Sequence, residues 1–482
     1  MDTTRSTGSG VRVEQNGINV IADAERRGVP RQLFWPWFSA NISILGVSYG
    51  AFVLGFGISF WQALVVGVIG VVFSFLLCGF VAVAGKRGSA PTMVLSRAAF
   101  GVRGNRLASG ISWLLTVGWE TVLVITATLA TATVFDRLGA GGGVGTQVVA
   151  LVVVAALVVG AGVLGFDVIM RLSSVITIVA AVLTVVYIAL AAPTIDLGAV
   201  AAAPSGDTGA VVGALVLVMT GFGLGWVNVA ADYSRYLPRT SSSRGVVAWT
   251  TLGGAAGPLL LLVFGLLLAG SSSDLADAIS ADPVGALAAA LPTWFLVPFA
   301  LVAVLGLVGG AVLDIYSSGL ALLATGLRVG RPTAALIDGA IMVLGTVYVV
   351  FVAGDFQAQF VGFLITLGVP VAAWCGILLA DVLLRRAPYA EDDLYRPQGR
   401  YGDVQWFPVA VVVVASVLGW GLVTNSGASW LTWQGYLLGP LGGREGPWAY
   451  ANLGVLLALV LGFVATYVES RGRVARQEAQ PV

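Results

Sequence analysis

Gly221-Phe-Gly-Leu-Gly-Trp226-Val-Asn-Val-Ala-Ala-Asp232-Tyr-Ser-Arg235-Tyr-Leu-Pro-Arg239 is the stretch on which the reading of this chain turns. An apolar run over 211–220 leads into it, and three glycines follow at alternate positions, with Trp226 directly after the third. Each glycine weakens a helix interior by roughly 1 kcal/mol relative to alanine. Three so close together have two readings. They let neighbouring helices approach closely, or they break the helix inside the membrane. Backbone freed by a break is tolerated only where it lines a cavity, because lipid offers no hydrogen bonds. A tryptophan beside such a break can present its flat face to a ring.

The surroundings are membranous. The 482 residues are 58% hydrophobic and only 10% charged, against about 25% charge in soluble domains, and the mean hydropathy is +0.93. The net charge of +1 gives no basis for a nucleic-acid or acidic partner. Histidine is absent, which excludes histidine-based catalysis, metal sites and proton relays. Cys78 and Cys375 lie in apolar runs and read as small core residues. No P-loop is present, and residues 1–32 are too polar for a signal peptide. No cofactor is expected.

Twelve apolar runs lie near 38–60, 62–85, 107–134, 146–165, 168–191, 209–231, 246–269, 294–326, 333–353, 358–384, 405–425 and 447–468. Arginines test the count. With the N-terminus inside, 23 of the 25 Lys+Arg fall in the tails and alternate connections, Arg137 and Arg444 being the exceptions. The positive-inside rule therefore predicts twelve spans in a plasma membrane with both termini cytoplasmic. Residues 1–34 read as a cytoplasmic tail, mobile up to Trp35-Pro36-Trp37, whose tryptophans suit an interfacial anchor. A ten-span core follows over 35–386, then a cytoplasmic linker (387–404), spans 11 and 12 (405–468) and a C-terminal tail (469–482). Residues 86–105 are expected along the cytoplasmic face, and the alanine-rich part of 270–292 as a short external helix. Span 1 also carries glycines (Gly46, Gly50, Gly55, Gly57). Two interrupted spans five apart are the pattern of an inverted five-plus-five repeat, whose binding site lies at the midplane. The expected fold is an all-α integral membrane protein of this type with two extra C-terminal helices.

Ionisable groups deep in a span are costly and mark function. Glu120, after Trp119 in span 3, and Asp314, in span 8, stand out. Such a carboxylate can bind a cation, accept a ring N–H or carry a proton. Asp232, Asp355 and Asp381 sit near span ends and Asp167 in a connection, where structural roles are commoner; Asp232 is expected to pair with Arg235. Gly118-Trp119 and Gly225-Trp226 form two Gly-Trp pairs inside their spans. Together they can sandwich a planar ring, a contact of roughly 1–3 kcal/mol by analogy with base stacking.

These residues resemble a known family, the nucleobase:cation symporters that include cytosine and purine permeases and a hydantoin transporter. The pieces that carry it are Trp37-Phe-Ser-Ala-Asn41, Gly118-Trp119, Gly225-Trp226 with Ala231-Asp232-Tyr233-Ser234-Arg235-Tyr236, and Phe363-Leu364 through Pro370, Trp374, Gly376 and Ala380-Asp381 to Leu384-Arg385-Arg386. The resemblance implies the LeuT fold, with a planar heterocycle stacked by Trp119 and Trp226. It implies further contacts from Gly225 and from an unwound part of span 1 around Gly46 to Ser48. It favours the break reading of 221–225. Departures shape the rest. Leu123 stands where the family often has Asn or Gln, with Glu120 nearby, and Asp314 where an amide is common. Gly309-Gly310 stand where sodium-coupled members carry hydroxyls. The expectation is a symporter importing a nucleobase such as cytosine or a purine by alternating access. H+ is the coupling ion, carried by Asp314 or Glu120, with Na+ the alternative. Other readings are a carrier of allantoin, hydantoin, thiamine or pyridoxine-type compounds, and a ligand-binding membrane receptor.

Overall fold

The computed structural model describes residues 16–289, 291–353, 356–425 and 429–480, and the side chains of 166–174, 280–281 and 357–358 lie outside that description, as do Asp355 and residues 1–15. Every regular element among the described residues is helical. The transmembrane helices are α1 (Phe34–Asn41 and Leu45–Leu54), α2 (Phe60–Gly88), α3 (Asn105–Arg137), α4 (Val144–Leu164), α5 (Phe166–Ala191), α6 (Thr208–Ser234), α7 (Ser243–Gly270), α8 (Leu296–Ala324), α9 (Arg331–Tyr348), α10 (Phe356–Leu384) and α12 (Leu453–Glu478), with a shorter α11 (Trp406–Trp420). Ten helices are long and apolar enough to cross a bilayer, and α1, bent by 67°, makes eleven. The expected twelfth span does not reach that length. α11 has 15 residues, about 22 Å of helix against a hydrocarbon core of about 30 Å.

The glycine-rich stretch does break α6. A helix over Thr208–Gly221 ends at Phe222 (φ −116°, ψ −109°), and a single turn (Gly223–Trp226) and a 3-10 turn (Val227–Val229) follow before helix resumes at Ala230. The freed backbone is satisfied from other helices. Tyr49 Oη donates to Gly221 O (3.2 Å), Cys78 Sγ to Gly223 O (3.0 Å), and Gly223 N donates to Ser74 Oγ (3.1 Å). Cys78 thus closes the break rather than merely filling the core. A Cβ at Gly223 would lie 2.2 Å from the Ser74 carbonyl carbon, so glycine is required here by the backbone of α2.

The break in α1 falls at Ile42–Ile44 rather than at Gly46–Ser48. Gly46 and Ser48 are helical. A Cβ at Gly46 would meet the Leu261 side chain at 3.0 Å, and Ser48 Oγ donates to Pro283 O in the loop before α8. α1 lies along a glycine stripe on α7. A Cβ at Gly253 would meet Phe34 backbone (2.6 Å), at Gly257 Asn41 O (3.0 Å), and at Gly265 Val47 O (1.9 Å). Spacing of four places such residues on one helix face and lets backbones touch. Close packing and breakage are therefore both present, and Gly223 serves both at once.

At the arginine-rich end, residues 89–101 are a buried plug and not a surface strip. Thr92–Leu95 and Arg97–Phe100 form one-turn helices, every residue of which is buried. Segment 387–404 covers them: Arg97 donates to Leu394 O (3.2 Å) and Arg103 N to Asp403 O (2.8 Å). The N-terminal segment from residue 16 onward is docked as well, contrary to a mobile tail. Ile21 is fully buried and its N–H reaches Ser89 O at 2.8 Å. Trp37 is buried in the bundle, while Trp35 is half exposed and suits an interfacial anchor. Asp232 accepts from Thr92 N and Oγ1 (2.8 and 2.7 Å), and Arg235 reaches Gly17 O and Tyr316 Oη (3.0 and 2.8 Å), while the expected pairing of the two persists as an electrostatic attraction. Asp381 instead grips Arg385 through two contacts of 2.6 and 2.9 Å. The piece Ser273–Ala281 is helical as expected.

Gly223→Ala is expected to lower stability by about 1–3 kcal/mol through overpacking, read as a reduced melting temperature of the detergent-purified protein. An unchanged melting temperature would mean that α2 and α6 have room to separate.

Candidate functional site

The two Gly-Trp pairs meet. Gly225 sits with its open side against the indole of Trp119, and a Cβ there would lie 2.9 Å from Trp119 Nε1. Gly118 performs the same service behind Trp119, admitting the Phe363 ring, which a Cβ would approach at 2.1 Å. Trp119 is nearly buried, and its Nε1–H has no acceptor. A buried indole N–H without a partner is costly.

The tryptophans belong to separate aromatic groups. Trp119 stands edge-on to Phe360 (5.7 Å) and Phe363 (6.1 Å) of α10, and Phe360 continues to Tyr49 and Phe52 of α1. Half-buried Trp226 stands edge-on to Trp37 (6.0 Å), which also meets Tyr233 (5.4 Å). Each tryptophan is thus backed by its own rings. Leu123 faces α8, its Cδ1 lying 2.9 Å from where a Gly310 Cβ would be. Tyr49, Phe222, Phe360 and Phe363 were not singled out from the sequence. Aromatics in apolar spans are common, and no spacing marks these as facing one site.

The face of α8 toward α1 is made of glycine. A Cβ at Gly306 would lie 3.3 Å from Ile42 O, at Gly309 3.7 Å from Ser39 O, and at Gly310 3.6 Å from Ala40 O. The carbonyls beside the α1 break therefore look at helix backbone, where no hydroxyl from positions 306, 309 or 310 can join them.

Glu120 and Asp314 are both buried, at 0% and 1% exposure. Neither Glu120 oxygen has a hydrogen-bond partner, nor does Asp314 Oδ2. The two are within electrostatic reach of each other, and Ser318 and Asp338 stand beside Glu120. Asp338 of α9 is fully buried and accepts from Trp113 Nε1 (2.7 Å) and Ser318 Oγ (2.8 Å). Asp338 is not among the sequence-predicted acids, yet its place seven residues inside an apolar helix is a signal for it. Among the described residues no group of three or more His, Cys, Asp or Glu is arranged to hold a metal ion. A large lipid-facing groove of about 1060 Å³ lies elsewhere, between α2, α7, α10 and α12.

Residues 20–439 match the family described as permease for cytosine/purines, uracil, thiamine, allantoin. The chain belongs to that family. It is similar to the Bacillus subtilis (strain 168) protein YxlA, described as a purine-cytosine permease, at 22% identity over 97% of this chain and 99% of the relative. Among solved structures it resembles Mhp1, a nucleobase-cation-symport-1 family transporter, in a closed conformation with bromovinylhydantoin bound. The TM-score is 0.69 at 19% identity, covering 97% of this chain and 99% of Mhp1. A Na+-coupled sialic acid symporter matches with a TM-score of 0.62 at 12% identity, over 95% and 93% of the two chains. The fold is thus LeuT-like, and the protein is a multi-span membrane transporter of the permease family for cytosine/purines, uracil, thiamine and allantoin, not an enzyme.

Gly225→Ala is expected to push the Trp119 indole aside and weaken binding of the transported heterocycle about tenfold, or ~1.4 kcal/mol, measured by equilibrium binding to purified protein. Wild-type affinity in this variant would place the ligand away from the contact between the Gly-Trp pairs.

Proposed function

We propose that this protein imports a nucleobase or closely related planar heterocycle, coupled to protons, by alternating access around a midplane site between α1, α3, α6, α8 and α10. The juxtaposition of Gly225 with Trp119 is the observation that carries this reading. It sets two Gly-Trp pairs from different helices around one place, with an unpaired indole N–H among them. Trp119 and Trp226 are the ring-stacking walls and Gly225 and Leu123 shape the space between, whereas Gly46 and Ser48 are engaged by α7 and the loop before α8.

Coupling to protons rather than sodium is supported by the glycine face of α8. Sodium needs several oxygen donors, and beside the Ser39, Ala40 and Ile42 carbonyls α8 presents Gly306, Gly309 and Gly310. Protons need only a carboxyl, and Glu120 and Asp314 supply two buried ones near the Trp119 wall. Both carboxyls also favour a substrate rich in N–H or amino donors. Cytosine and adenine have that character, and so do thiamine- and pyridoxine-type rings, which form the second reading. The arginine alternation along the sequence supports a plasma-membrane orientation with the docked N-terminal segment and α12 end in the cytoplasm.

Uptake of labelled cytosine, adenine, hypoxanthine, uracil, allantoin and thiamine into cells lacking their own carriers tests this. At least one should accumulate, a protonophore should abolish the accumulation, and sodium removal should not. Accumulation that needs sodium and ignores the protonophore would overturn proton coupling. Trp226→Ala should raise KM at least about tenfold, consistent with a lost stacking contact of ~1–3 kcal/mol. Asp314→Asn should abolish concentrative uptake, and normal accumulation by that variant would remove Asp314 as a carrier.

A further inference from the structure

We propose that Glu120, Ser318 and Asp338 form a proton relay leading from the Trp119 wall toward the arginine-rich end of the bundle, with Trp113 positioning Asp338; the proposal rests on the proton-coupled reading above. The three residues come from α3, α8 and α9 and are all fully buried. Their hydrogen bonding is asymmetric. Asp338 accepts two bonds, from Trp113 Nε1 and Ser318 Oγ, one on each oxygen. Glu120 makes no well-formed hydrogen bond, although Ser318 lies close enough to interact with its carboxyl. A hydroxyl has one proton to give and two lone pairs. Ser318 Oγ lies 2.8 Å from Asp338 Oδ2 and 3.2 Å from Ile315 O. With its proton given to Asp338, it offers Glu120 only an acceptor.

That arrangement suits an ionised Asp338 and a protonated Glu120. An acceptor-only carboxylate matches the two donors on Asp338. An ionised Glu120 with no donor would be left unpaired beside a second acid, at a cost of several kcal/mol. The transfer balances without a further reactant. The Glu120 O–H bond breaks as its proton passes to Ser318 Oγ, and the Ser318 O–H bond breaks as its own proton passes to Asp338 Oδ2. Asp338 becomes neutral, Glu120 takes the negative charge, and Ser318 keeps one proton, now facing Glu120.

The geometry also gives a direction. Glu120 follows Trp119, at the ring site. Trp113 lies seven residues earlier on α3, about 10 Å nearer its Arg106 end. Asp338 lies seven residues after Arg331, at the same end of α9. The other charged groups around the relay are Asp314, one turn before Ser318 on α8, and Arg331 on α9, whose guanidinium reaches Gly162 O (2.8 Å) and Val163 O (2.7 Å). Helix α4, also packed against α9, carries no ionisable residue.

The test uses purified protein in liposomes with the member of the uptake panel that it transports. Two measurements are made: accumulation driven by an imposed pH gradient, and counterflow exchange, which needs no gradient. Asp338→Asn and Ser318→Ala should each lose at least tenfold in gradient-driven accumulation while counterflow stays within twofold of wild type. Ser318→Thr, which restores a hydroxyl, should recover most of the accumulation. Should Asp338→Asn not fold, the Ser318→Ala and Ser318→Thr pair decides alone. Wild-type accumulation by Asp338→Asn or Ser318→Ala would overturn the relay, while a wild-type protein driven by the pH gradient would leave proton coupling standing. A wild-type protein that a sodium gradient drives and a pH gradient does not would overturn both.

Discussion

Backbone polar groups cannot go unsatisfied in a place that water does not reach, and the break at Phe222 makes that requirement acute. The protein meets it with three side chains from two other helices, Tyr49 of α1 and Ser74 and Cys78 of α2. The arrangement ties together the parts that form the site. Tyr49 lies on the outer piece of broken α1, so its bond to Gly221 links one interrupted helix to the other. Its ring also packs on Phe222 at 4.4 Å. The position of Gly225, and through it the seat of the Trp119 indole, follows from how this break is capped.

Much of this was written in the sequence because it depends on residue types with few roles. Alternate glycines before a tryptophan signalled the α6 break, and the two Gly-Trp pairs do converge. The α1 break was misplaced for a physical reason. Its residues, Ile42-Ser43-Ile44, contain no glycine. The chain leaves the helix there because α7 and α8 offer glycine surfaces on either side, at Gly257 and Gly306, and that is tertiary information. Glycines Gly46 and Gly50 serve packing instead. The docking of residues 16–33 and 387–404 was illegible for a related reason. Much of it runs through backbone hydrogen bonds and single arginines reaching carbonyls, which leave little compositional trace.

Charge showed the same division. Arginine alternation is a property of composition and could be counted. The partners of individual charges could not. Asp232 serves Thr92, and Arg385 draws on Asp381, Ala98 O and Gln477 from three different elements. The acids that matter most are those with the least polar surroundings, and burial of that kind is visible only once α3, α8 and α9 are assembled.

The glycine face of α8 has an evolutionary consequence. A side chain at position 310 would collide with Leu123, whose Cδ1 lies 2.9 Å from the would-be Cβ, while one at 309 would press on Ile176 at 3.3 Å. A hydroxyl at either position therefore requires the Leu123 or Ile176 side chain to shift. On the proposed site Leu123 would border the bound ring, so making room at 310 would alter that space too. The choice of coupling ion and the choice of cargo would then be epistatic, and a lineage that exchanged one would be pressed to adjust the other.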